Sequence, residues 1–155
     1  MAGSLSYSRG GVSPVRYLAR LYRARGRRYF SVIAIAPSAR NTTRLLRRAR
    51  ALRRVMLRRR DRRGKVWITA LGWSDRGARS SLRVGRKGQA KRVSRVLRLL
   101  VRDRRRLALR GVAYVAWRDR RAHKRSWVNN AGLLNRRGRR KPAYSAFGRG
   151  VRPFR

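Results

Sequence analysis

Apolar positions along the chain follow two alternating rhythms. Val15, Leu18, Leu21 and Tyr22 recur at helical spacing, one face of a 3.6-residue repeat. Ahead of them, Ser13-Pro14 supplies a cap residue and a proline at the first helical position, where its missing N–H costs nothing. The pattern stops at Gly26. Residues 29–36 (YFSVIAIA) then form a nearly continuous apolar run closed by Pro37. Such a run predicts a strand buried on both faces, as in parallel sheets. Asn41, Thr42 and Thr43 offer caps for a second helix. Its stripe is Leu45, Ala49, Leu52 and Met56, widened by Leu46 and Val55. Arg62-Arg63-Gly64 ends it, and residues 65–72 (KVWITALG) read as a second buried strand.

A loop rich in Gly, Ser and Arg spans residues 74–88. A long helix carrying Val93, Val96, Leu97, Leu100 and Leu107 follows, ended by Gly111. Residues 112–117 (VAYVAW) predict a third strand, and Pro142 opens a last helix through Tyr144 and Phe147. Helix and strand alternate throughout, which implies an α/β fold with three parallel strands, four helices and crossover connections. The expected organisation is a flexible polar segment over 1–11, one domain over 12–149 and a basic tail over 150–155.

Charge changes this picture. The 155 residues include 47 Lys or Arg against 4 acids, a net charge of +43, and all but five of the cations are arginine. Arginine stays charged at any working pH. Each phosphate it neutralises releases counterions, so salt-dependent binding of nucleic acid is expected. Anionic membranes and heparin-like polysaccharides feel the same field, so charge alone predicts only non-specific polyanion binding. The apolar share, 42%, is still that of a globular protein. Arg-rich stretches such as 58–63 and 136–141 fall at element ends and in loops, where a solvated face is the plain reading.

The stock of chemistry is small. There is no cysteine, one histidine (His123) and only Asp61, Asp75, Asp103 and Asp119 as acids. No cofactor or metal is expected from that stock. No apolar run approaches the ~20 residues of a membrane-spanning helix, and the opening residues lack the form of a secretory signal. Nothing marks a nucleophile elbow. The glycine-bearing pieces at 9–11 and 85–88 lack phosphate-loop spacing, although 85–88 is basic and precedes a helix, where a phosphate can sit.

Five strings in order carry a resemblance: VSPVRYL from Val12, YFSVIAIAPSA from Tyr29, VWITALGW from Val66, LRGVAYVAWRD ending at Asp119, and AGLLNRRGRRKPAYSAF from Ala131. Together they resemble the C-terminal part of clan A retaining glycoside hydrolases, the cellulase-like and β-xylosidase-like enzymes, over about 12–149. The resemblance implies a partial (β/α)8 TIM barrel whose three strands are the sixth to eighth, with the site at their carboxyl ends. Retaining glycosidases hydrolyse O-glycosidic bonds with two carboxyl groups about 5–5.5 Å apart. The family's nucleophile Glu, in a motif like W-I-T-E-x-G-W, falls on Ala70 here. Its acid/base Glu lies on the fourth strand, outside this chain. In the sixth-strand motif D-x-x-x-x-H-P-Y, Ser31, Ala36 and Ser38 take the Asp, His and Tyr positions. The resemblance thus implies a glycoside hydrolase-related fragment, inactive alone.

The same resemblance places Trp73 and Trp117 where family aromatics line a sugar pocket, with Asp119 beside them as a further carbohydrate contact. Rim packing is the alternative for both indoles, and a local ion pair with Arg118 or a loop cap for Asp119. Asp75, five residues past Ala70 on a loop, does not replace the nucleophile, and His123 reads as a solvated loop residue. A second reading is an Arg-rich nucleic-acid-binding protein, for instance ribosome-associated, with Tyr22, Tyr29, Phe30, Tyr144, Phe147 and Phe154 stacking on bases. Most of these aromatics fall at predicted core positions, and no nucleic-acid motif is present. A third is a module held to an anionic surface by charge alone. An arginine stripe on one face would favour nucleic acid, and an even spread would mark a by-product of composition. The open edges of a part-barrel also make a homo-oligomer or a complementing barrel half an expected partner.

Overall fold

The computed structural model describes residues 2–6, 11–37, 41–121 and 126–154. Its strands are β1 (Ala2–Ser6), β2 (Val32–Ala36), β3 (Lys65–Leu71) and β4 (Leu109–Tyr114). They lie side by side in sequence order, and each pairs in parallel with the next. Parallel neighbours require a crossover. The helices supply it: α1 (Pro14–Arg23), α2 (Thr42–Arg58), α3 (Arg86–Arg102) with the one-turn α4 (Arg104–Leu107), and α5 (Pro142–Val151) after β4. Four consecutive strand–helix units make this an α/β fold with the architecture of a partial (β/α)8 barrel.

Local chemistry sets the helix starts. Pro14 and Pro142 occupy the first helical turn. Asn41 caps α2, its side-chain oxygen accepting from the Arg44 N–H at 2.8 Å. The core lies between the sheet and the helices. Ile33, Ile35, Val66, Ile68 and Leu109 meet Leu18, Leu45, Leu52, Met56, Val93, Val96, Leu97 and Leu100 there. Burying each large side chain contributes roughly 1.5–3 kcal/mol, which works against the self-repulsion of so many cations. On β3, Val66 and Ile68 are sealed while Trp67 and Thr69 on the other alternation are half-buried. The face expected to be fully covered there is covered only in part.

Several expectations need correction. The described residues form four strands, not three: Ala2–Ser6 lies in the segment expected to be flexible. Its residues have little strand preference of their own. Pairing with buried β2 holds them, with Leu5 opposite Ile35 and packed on the core. The strand expected from Tyr29 starts at Val32, because 26–29 wind into a 3-10 turn. α3 starts at Arg86, inside the expected loop. The long helix is broken at Asp103, raising the helix count to five, where Arg50 Nε and Nη2 close on Asp103 Oδ2 at 2.7 and 2.6 Å. Gly111 does not end a helix. It lies inside β4 opposite Trp67, and a Cβ there would stand 2.8 Å from the indole ring. The expected tail is helical through Val151, with a 3-10 turn over 152–154.

Candidate functional site

In parallel α/β sheets and barrels, ligands meet the carboxyl ends of the strands. Here those ends are residues 70–71 of β3 and Tyr114 of β4, leading into the loops that begin at 72 and 115. Ala70 itself is left-handed, with φ 55°. The register slips at this point: Ile68 pairs with Val112, but Leu71 pairs with Tyr114. Two residues of β3 thus oppose one of β4, a bulge of the kind found at barrel rims. The conformation costs a residue with a Cβ roughly 1–2 kcal/mol.

Beyond the bulge, Trp73 is only 1% exposed. Its carbonyl accepts from Gln89 Nε2 at 2.9 Å, and the same nitrogen reaches the Ala131 carbonyl at 3.1 Å. Gln89 thereby ties α3 to two loops. The indole of Trp73 packs inside the fold and offers no open ring face. Tyr114 lies alongside, its hydroxyl accepting from Gln89 Nε2 at 3.3 Å and its ring edge-on to Phe147. Burial pushes the Tyr114 phenol well above its ordinary pKa, so it stays neutral.

An ion cluster joins the two loops. Lys141, the residue before α5, is 2% exposed. Its Nζ lies 2.8 Å from both Asp119 oxygens and 3.1 Å from Asp75 Oδ2. The Gly132 N–H donates to Asp119 Oδ1 at 2.9 Å. A Cβ on Gly132 would stand 2.4 Å from the Asp119 nitrogen, so only glycine allows this approach. Arg76 closes the cluster from solvent, 3.8 Å from Asp119 Oδ2 and 3.9 Å from Asp75 Oδ1. Two carboxylates and two cations balance, as buried charge requires. Asp119 therefore pairs with Lys141 and Arg76 rather than with its neighbour Arg118.

Beside the cluster is an open cleft of about 710 Å³ lined by residues 116–121 and Arg136. Trp117 is 61% exposed there, the sole exposed tryptophan among the described residues. Its ring meets Tyr144 edge-on at 5.6 Å, and the Arg140 guanidinium lies 4.7 Å over Tyr144. Arg118, Arg120, Arg121 and Arg136 are exposed around it.

Of the residues singled out from sequence, Trp117, Asp119, Trp73, Asp75 and Ala70 all fall at this end of the sheet. Only Trp117 presents an open face. Ser31 lies at the opposite end, just before β2. Ser38 and His123 lie outside the described residues. Lys141, Gly132, Gln89 and Tyr114 were not foreseen as parts of the site. The one available signal was scarcity: a carboxylate standing alone among cations is a candidate for a buried pair. Ala70 offers a methyl group and no nucleophile, and both nearby carboxylates are held by Lys141. Among the described residues, no three of His, Cys, Asp or Glu converge on a metal position, and no helix is long and apolar enough to cross a membrane. Among the described residues, exposed arginines occur on α1 (Arg16, Arg20), α2 (Arg44, Arg47, Arg54), α3 (Arg95, Arg98) and the loops after β4, so they are not confined to one element.

Fold and site together define a part-barrel α/β domain with an aromatic, cationic cleft at the carboxyl end of its sheet. No protein-family model matches the chain, and no curated protein matches it. The fold is similar to that of a thermostable mutant of a xylanase from Cellvibrio japonicus, with a TM-score of 0.60 at 13% identity. The match covers 88% of this chain and 44% of the xylanase chain, so the likeness is one of fold over less than half of that enzyme.

Proposed function

We propose that this chain is a glycoside hydrolase-related domain that binds carbohydrate and does not hydrolyse it unaided. The observation that carries the reading is Trp117: an indole 61% exposed in a cleft at the carboxyl end of β4, held in place by Tyr144. A sugar ring's apolar C–H face can lie on such a ring, and a pre-positioned platform loses little entropy on binding. The fold likeness to a xylanase and the place of the cleft on the sheet support the same class of ligand. Ala70 at the resembled nucleophile position, with Asp75 and Asp119 held by Lys141, supports the absence of catalysis.

Calorimetric titration with neutral xylo- and cello-oligosaccharides tests the reading. Binding that Trp117→Ala weakens about tenfold, some 1.4 kcal/mol, is the expected result. Neutral sugars that bind neither protein, or both equally, would refute it. Hydrolysis of an aryl glycoside by the purified parent would overturn the inactive half of the proposal.

A further inference from the structure

We infer that the Trp117 cleft selects acidic glycans, its arginines reading carboxylates on the sugar that the indole holds. The inference rests on the carbohydrate reading and adds the chemical class of the ligand. Four guanidinium groups, on Arg118, Arg120, Arg121 and Arg136, line the same cleft as the exposed indole. None of the four forms an ion pair among the described residues. The cleft's one acid, Asp119, is only 4% exposed and turns its carboxylate inward to Lys141 and the Gly132 N–H. The charged groups the cleft offers to a ligand are therefore all cationic. Guanidinium groups meet carboxylates through paired N–H donors, and exposed ones need little desolvation to do so.

Two other basic grooves show what sets this one apart. Lys91, Arg95, Arg98 and Arg149 line a groove between α3 and α5, and Arg62, Lys65, Arg104, Arg105 and Arg110 line another near the amino ends of β3 and β4. Neither is lined by an aromatic ring. Of these three grooves, the Trp117 cleft alone pairs a flat platform with unpaired cations, which suits a ring bearing acidic groups. Single-stranded nucleic acid is favoured by successive stacking platforms along a basic groove, and this cleft has one.

The test uses the whole chain and three variants of matched unfolding midpoint: Trp117→Ala, the quadruple R118Q/R120Q/R121Q/R136Q, and the control R95Q/R98Q on α3. The probes are a short oligogalacturonate, a neutral xylo-oligosaccharide of equal length and an oligouridylate of equal charge. Titrations run at physiological ionic strength, where the Debye length is about 8 Å and diffuse fields are damped. The parent should bind oligogalacturonate about tenfold more tightly than the neutral sugar, the sum of several exposed ion pairs. The quadruple variant should lose that preference and keep the neutral sugar, Trp117→Ala should weaken both, and the control should match the parent. Equal loss of oligogalacturonate in quadruple and control would overturn the inference in favour of a diffuse field. So would tighter binding of oligouridylate that depends on Trp117. A parent that ignores neutral sugar but binds oligogalacturonate through these four arginines would sustain the acidic cleft and refute the neutral-sugar reading alone.

Discussion

The two ends of the sheet each carry a buried charge cluster, and they are built differently. At the amino end, ahead of β3, Asp61 accepts from the Tyr22 hydroxyl at 2.6 Å and from the Gly64 N–H at 2.9 Å. Arg53, also buried, spends its guanidinium on the carbonyls of Asp61, Arg62 and Gly64 at 2.9–3.1 Å. Charge there is absorbed mostly by neutral donors and backbone, with the half-exposed Arg27 at the edge of ion-pair reach, its Nε 4.0 Å from Asp61 Oδ1. At the carboxyl end, Asp75 and Asp119 share Lys141, and charge is absorbed by opposite charge. The difference matters for what lies outside. The carboxyl-end cluster draws the local acids inward and leaves the Trp117 cleft wholly cationic, whereas the amino-end cluster stitches a turn.

The largest expected effect breaks the carboxyl-end cluster. Lys141→Met strands two buried carboxylates and should cost about 3–5 kcal/mol in urea unfolding. That is a large share of a domain's total stability, about 5–15 kcal/mol. Adding Asp75→Asn and Asp119→Asn to the same chain should restore much of the loss, since the stranded charge is gone. If the triple variant is no better than Lys141→Met, packing rather than charge is what Lys141 provides.

A smaller effect is read by pH at the amino end. The Tyr22 phenol is pushed above its ordinary value of 10 first by burial and then by its bond to Asp61. The folded state therefore holds a proton that the unfolded chain releases near pH 10. The stability this contributes is complete below pH 10 and falls as pH rises above it. Tyr22→Phe should cost about 1–2 kcal/mol at neutral pH through the lost hydrogen bond. It should also flatten the alkaline fall in unfolding free energy. An unchanged alkaline slope would assign that fall elsewhere, with Tyr114 the next phenol to replace.

Much of this was legible in the sequence. The continuous apolar runs around Ile33 and Ile68 are strands, and Asn41 and the two prolines mark true helix starts. β1 was not legible, because AGSLS has few strand-forming side chains and is held by its neighbour. Gly111 misled for a related reason: a glycine that reads as a stop is there to admit the Trp67 ring. For the site, Trp117 was legible as an aromatic at a strand end, but its exposure and the burial of Trp73 depend on where Gln89 and Tyr144 pack. Residues 75, 119 and 141 meet only through tertiary folding, and no local pattern links them.

The smallest expected effect concerns backbone strain, and it sharpens the contrast between the ends. Both carry a left-handed residue that is not glycine: Arg60 near the amino end and Ala70 at the carboxyl end, with φ of 58° and 55°. Arg60 lies just past α2, where a left-handed residue lets the chain close the helix; the Asp61 N–H donates to the Met56 carbonyl at 2.9 Å. Ala70 lies within a strand, where the same conformation makes a bulge at the carboxyl end of β3, the end of the sheet that carries the cleft. Ala70→Gly removes the Cβ clash and should stabilise the fold by about 1 kcal/mol, less the entropy glycine loses on folding. The same exchange at Arg60 should gain a similar amount, since the φ penalty is local. Sugar affinity is the discriminating readout. Strain held for function shows as a gain in stability with a loss of binding at Ala70 and no change in binding at Arg60. Equal binding by both variants would make the Ala70 bulge a feature of the scaffold, leaving Trp117 and its arginines to act without it.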